Sequence, residues 1–107
     1  MAKFLVSVTY TESGAKGLRK DGGTEREHVV RLAIEGLGGK LEALYFALGQ
    51  DDVIVIADLP DAVSAAALSL AVAASGAAHC RTTLLLTAAD MDKAVSKNTA
   101  YRAPGIA

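Results

Sequence analysis

Between Lys3 and Tyr10 the chain alternates: Phe4, Val6, Val8 and Tyr10 share one parity, while Lys3, Ser7 and Thr9 fall on the other. Successive side chains of a strand point to opposite faces, so this period of two predicts a strand over residues 3–10. Thr11 to Gly23 has no sustained apolar period and reads as a loop with a helical turn around Ala15–Arg19. The spacing then changes. Thr24-Glu25-Arg26-Glu27 has the layout of a capping box, in which the Thr24 hydroxyl accepts from the Glu27 amide and the Glu27 carboxylate accepts from the Thr24 amide. Val29, Val30, Leu32, Ala33, Ile34 and Leu37 follow at helical spacing, and Gly36, Gly38 and Gly39 supply a left-handed stop.

Lys40–Leu48 and Val53–Leu59 read as adjacent strands joined by a tight Gly49-Gln50-Asp51-Asp52 turn. In the first, Leu41, Ala43, Tyr45 and Ala47 oppose Leu44, Phe46 and Leu48. In the second, Val53, Val55, Ala57 and Leu59 oppose Ile54, Ile56 and Asp58. Both strands are apolar on both sides, so both faces of their sheet need cover. Asp61 caps an alanine-rich helix running to about Ser75, with Gly76 as its stop. Ala78–Leu86 is a fourth strand, Thr87 caps a helix from about Ala88 to Lys97, and Asn98–Ala107 is a tail.

The order β-α-β-β-α-β plus a terminal helix is that of an α+β, ferredoxin-like sandwich. Residues 1–97 form the expected domain and 98–107 the tail. Two helices cover one face of the sheet. The other face is left open and largely apolar, which predicts that two copies pair sheet to sheet as a dimeric α+β barrel, with a ring of such dimers as a further possibility.

Composition narrows the class without naming a reaction. Of 107 residues, 51% are hydrophobic, enough for one domain with its own core. Net charge is −1 with scattered Lys and Arg, so no basic face for nucleic acid is expected. No apolar run is long enough for a membrane span, and the N-terminus lacks a signal-peptide layout. The single Cys80 forms no internal staple. Together these predict a cytoplasmic protein. The two histidines and one cysteine lack zinc spacing, and no phosphate loop, nucleophile elbow or dinucleotide fingerprint occurs, so no metal and no cofactor are expected.

Several quoted segments carry a family resemblance over roughly residues 4–97: Phe4–Thr9 followed by Thr11 and Gly14, Lys20-Asp21, Leu37-Gly38-Gly39-Lys40, Tyr45, Gly49 to Asp52 leading into Val53–Ile56, and Pro60-Asp61 before the alanine-rich helix. With these the chain resembles the GYD-domain family, and the resemblance implies a dimeric α+β barrel. The family takes its name from a Gly-x-Tyr-Asp turn. This chain keeps Gly49 and Asp52 but carries Asp51 where tyrosine is expected, so chemistry that depended on that hydroxyl cannot be carried over. Proteins of related fold include small monooxygenases, isomerases and stress-response proteins, and the resemblance transfers no activity.

Candidate chemistry lies in three places. In the Gly49–Asp52 turn, Asp51 and Asp52 either accept turn amides, with Gly49 at positive φ, or act as a base or cation ligand. His28, on the first predicted helix, is either solvated or a general acid–base group. The fourth strand offers more. His79, Arg81, Thr83 and Leu85 share one parity and are expected on the open face, while Ala78, Cys80, Thr82, Leu84 and Leu86 face the helices. The strand should neighbour the first, so Ser7, Thr9, Arg81 and Thr83 form a polar patch, with Tyr45 within reach. Either this patch binds a small anionic or carbonyl-bearing molecule, or Arg81 pairs with a carboxylate across the dimer and the hydroxyls satisfy one another. Two functional readings follow: a small-molecule-binding or assembly module, and a cofactor-independent enzyme of monooxygenase or isomerase type using the barrel cavity.

Overall fold

The alternation in Val53–Leu59 sets the middle of the molecule. Val53, Val55, Ala57 and Leu59 are buried, whereas Ile54, Ile56 and Asp58 between them are half-buried. In the computed structural model, which describes residues 1–106, the elements run β1 (Ala2–Tyr10), α1 (Glu12–Asp21), α2 (Gly23–Gly36), β2 (Lys40–Phe46), β3 (Val53–Leu59), α3 (Ala62–Ala74), β4 (Ala78–Leu85) and α4 (Ala88–Ser96). The strands form one sheet in the order β2-β3-β1-β4, with every neighbouring pair antiparallel. This is the ferredoxin-like α+β fold. Of the expected tail, Ala107 lies outside the described residues.

The core lies between the sheet and helices α2 and α3. Phe4, Val6, Val53, Val55, Ala57 and Leu59 meet Ile34 from α2 and Ala65 from α3. Ile34 and Leu59 are fully enclosed, and burial of each such side chain stabilises the fold by about 1.5–3 kcal/mol. Among the described residues no helix covers the opposite face, which carries Leu5, Ser7, Ile54 and Ile56.

Four local features differ from the sequence expectation. Residues 12–21 are helix rather than loop: Thr11 caps α1 by accepting from the Gly14 amide at 3.3 Å. Gly14 lies against the Ala77 carbonyl and the Tyr10 ring, with no room for a side chain. The helix escaped detection because its packing side carries a glycine. The Thr24 capping box does not form. α2 starts at Gly23, ahead of Thr24, with Gly22 (φ 84°) as N-cap and no side-chain cap bond, and Glu27 instead pairs with Arg31 at 3.1 Å. At the other end of α2, Gly36 is helical and Gly38 alone takes positive φ. The Gly38 and Gly39 amides donate to the carbonyls of Glu35 and Ile34 at 2.9 and 3.0 Å, the Schellman pattern.

The third and fourth differences concern faces. In β2 the register slips between Leu41 and Ala43, leaving Glu42 without a partner on β3. This bulge puts Leu41 on the helix side with Leu44 and Phe46, not with Tyr45. On β4, Cys80 and Ala78 do sit under α3, and the Cys80 Sγ lies 3.9 Å from the Ser69 carbonyl. Leu84 and Leu86 do not: both are more than half exposed, at the end of an edge strand that has a neighbour on one side only.

Helix α3 follows the expectation. Asp61 accepts from the Ser64 amide at 2.8 Å, and Gly76 (φ 73°) ends the run. The amide bond holds the Asp61 carboxyl below its ordinary 3.8. At the start of α4, the Thr87 amide does the same for Asp90. A depressed carboxyl stabilises the fold above its unfolded pKa, and that contribution fades as pH falls through the folded value. Asp61→Asn keeps a capping oxygen without the charge. Its melting temperature should therefore fall less steeply than wild type as pH drops below about 5 and past 3.8, followed by thermal denaturation in a pH series.

Candidate functional site

The register arranges the open face in rows. Tyr45, Ile54, Ser7 and Arg81 form one row across all four strands, and Ala43, Ile56, Leu5 and Thr83 the next. Thr9 pairs with His79 toward the turn end. At the opposite end the Lys3 ammonium meets Glu42 at 2.6 Å and Asp58 at 3.1 Å. Glu42 first, then Asp58, hold that ammonium above the ordinary lysine value of 10.5. The face is thus an apolar centre of Leu5, Ile54 and Ile56 with a polar margin along β4 and an ion-paired end.

Ser7, Thr9, Arg81 and Thr83 are together on the β1–β4 side, as their parity implies. Tyr45 shares the row of Ser7 and Arg81 but stands on the far edge strand. Three strand spacings of about 4.8 Å separate its backbone from that of Arg81, about 14 Å in all. Ile54 and Ser7 stand between Tyr45 and Arg81 in that row. Tyr45 is 70% exposed. His28 is exposed on α2, which packs on the other side of the sheet, and it joins no group on the open face.

The 47–52 turn reaches over the open face at its β1 end. Ala47 donates to the Asp52 carbonyl, the Asp52 amide donates to the Val8 carbonyl, and the Asp52 carboxylate accepts from the Tyr10 amide, each at 2.8 Å. Asp52 therefore extends the ladder, and its carboxylate is occupied. Gly49 is not at positive φ. Asp51 is turned to β4, where both carboxylate oxygens accept from one terminal nitrogen of Arg81 at 2.8 and 3.0 Å. The carboxylate that pairs with Arg81 is thus Asp51 of the same chain, brought over by the turn, rather than one across a dimer. Sequence reasoning weighed each residue separately and missed the pair, since only the folded turn brings them together. Arg81 is two-thirds exposed, so the pair as it stands contributes little. Asp51→Ala is expected to lower stability by about 1 kcal/mol or less, measured by urea denaturation.

A second concavity lies on the helix side, where no motif pointed. It is a cavity of about 250 Å³ between α2 and α3, floored by Val6, Val8, Val53 and Val55, with Arg26, Tyr10 and Ser75 among its lining. Among the described residues, no group of three or more His, Cys, Asp or Glu side chains is placed to hold a metal ion. No helix there is long and apolar enough to cross a membrane.

A four-stranded sheet in the order β2-β3-β1-β4, helices on one side and a bare apolar face on the other, defines a small ferredoxin-like α+β protein whose exposed sheet is its main feature. The GYD domain model matches residues 4–95, nearly the whole of this architecture, and the chain belongs to the GYD-domain family. No curated protein and no solved structure matches it. In this chain Asp51 is the residue that ties the turn to β4.

Proposed function

We propose that the protein is a self-assembling module in which two copies pack open sheet against open sheet as a dimeric α+β barrel. The observation that supports this is the uncovered face centred on Leu5, Ile54 and Ile56, in a chain whose other sheet face is used by its own helices. Four strands about 4.8 Å apart and seven residues of about 3.3 Å give a face of roughly 440 Å² in projection. Side-chain relief raises the accessible area, yet a stable interface buries about 800 Å² per partner. The sheet alone is at the low end.

The C-terminal arm is suited to supply the remainder. The radius of gyration is 17.2 Å, against about 13 Å for a compact chain of this length. The longest extent is 61 Å. Helix α4 buries none of its residues, and Leu84, Leu86, Met91 and Val95 are exposed along the arm. Reaching across to the partner would cover them. The Arg81–Asp51 pair neutralises the one cation on the polar margin, which favours assembly over an anion site or catalytic role on this face.

Light scattering coupled to size exclusion tests the reading: a dimer is expected at micromolar concentration, and a monomer overturns it. Removal of residues 87–107 should weaken the dimer by tenfold or more while leaving the circular dichroism of the sheet intact.

A further inference from the structure

We infer that the cavity between α2 and α3 is a binding site for a small monocarboxylate with a compact apolar body, held by Arg26 at its mouth. The site is on the opposite side of the sheet from the proposed dimer face and does not depend on it. Its floor is four valines from β1 and β3, its walls are α2 and the alanine-rich α3, and its volume is about 250 Å³. At about 30 Å³ for each water-sized group, that holds about eight non-hydrogen groups. A void of this size with apolar walls is poorly served by water, which needs two to four polar partners, and it is the kind of space that takes up apolar molecules. It is accessible, since Val29, Ala71 and Ser75 on its rim are partly or well exposed.

Charge decides the ligand's head group. Arg26 lines the cavity and is half-buried. Its neighbours one turn away on α2 are Gly22, Gly23, Val29 and Val30, none of which can pair with a guanidinium. Among the described residues the ion pairs use Arg31, Arg81, Lys3 and Lys16, and not Arg26. A fork of N–H donors, half out of water and uncompensated, beside an apolar chamber fits a carboxylate above a hydrocarbon body. Tyr10 and Ser75, which carry hydroxyls, belong to the same lining.

The test uses octanoate and 3-phenylpropanoate as probes, with octanol as a neutral control, read by calorimetry and thermal shift on the full chain. At least one carboxylate should bind with a Kd below about 1 mM and raise the melting temperature. Arg26→Gln, at a half-exposed helix position, should weaken that carboxylate at least tenfold and leave octanol within twofold. Ala71→Phe, which fills the chamber from α3, should abolish both. Failure of both carboxylates to bind wild type overturns the proposal, as does an unchanged affinity in Arg26→Gln. Should Ala71→Phe not fold, the Arg26→Gln comparison decides alone. The oligomeric state is recorded alongside, so a monomer that still binds octanoate separates this site from the dimer reading.

Discussion

Ile56→Glu is expected to convert the protein from dimer to monomer. Ile56 lies on a central strand in the row of Ala43, Leu5 and Thr83, the middle of the open face. In a single chain the new carboxylate has an open face beside it and can turn to water, so the fold should survive. Between two sheets it would be buried opposite its own symmetry copy, and Glu42 and Asp58 already place negative charge at that end. An unpaired charge in such a place costs several kcal/mol. The dimer dissociation constant should therefore rise by about three orders of magnitude, since each 1.4 kcal/mol is a factor of ten. Sedimentation across a concentration series reads the change. Ile56→Val, which keeps the apolar contact, should leave the dimer within tenfold. A dimer that tolerates Ile56→Glu as well as Ile56→Val would mean that association uses another surface.

Gly39→Ala should be strongly destabilising. A Cβ at Gly39 falls well inside contact distance of the Asp58 carbonyl oxygen, 2.8 Å from Leu59 Cδ2 and 3.1 Å from Ile34 Cγ2. The carbonyl belongs to the β3 backbone, and Ile34 and Leu59 are the two fully enclosed large side chains. Neither neighbour can yield without opening the core. The cost is expected to be about 3 kcal/mol, a loss of about 12–24 °C in melting temperature for a domain of this size. Gly49→Ala provides the contrast. Nothing lies within 4 Å of its Cβ and its φ is not positive. Alanine there should be neutral, or stabilise by up to about 1 kcal/mol through the unfolded chain. Both are compared with wild type at one protein concentration, because dimerisation makes the melting point concentration-dependent.

The contrast also shows what was legible in the sequence. β3, α3 and the start of α4 could be read because their signals are local: alternation in Val53–Leu59, the Asp61 and Thr87 caps, and Gly76. The sheet order followed from the sequence of elements. α1 was hidden because its packing side is made of Gly14, which has no hydrophobic signature, and because its tight neighbour Ala77 is distant in sequence. The Glu42 bulge exists only in the pairing of β2 with β3, so counting along β2 put Leu41 on the wrong face. The polar patch of Ser7, Thr9, Arg81 and Thr83 was legible from parity alone. Its neutralisation by Asp51 was not, since that depends on how the 47–52 turn folds over the face. The α2–α3 cavity was equally invisible, because empty space is a property of two helices and a sheet and leaves no mark on any one of them. Arg26 did carry a signal, its lack of a charged neighbour one turn away.

The Glu42 bulge has a consequence for how this strand can change in length. Glu42 is the one residue of β2 with no partner on β3. A chain lacking it would run Leu41, Ala43, Leu44, Tyr45 and Phe46 in strict alternation, each on the side it already occupies. Loss of that single position would remove a contact to Lys3 and straighten the strand, yet leave core and open face as they are. An added residue elsewhere in β2 would instead turn Tyr45 inward and Leu44 outward. Strands normally tolerate no insertion or deletion without exchanging their faces; β2 carries one site where they can.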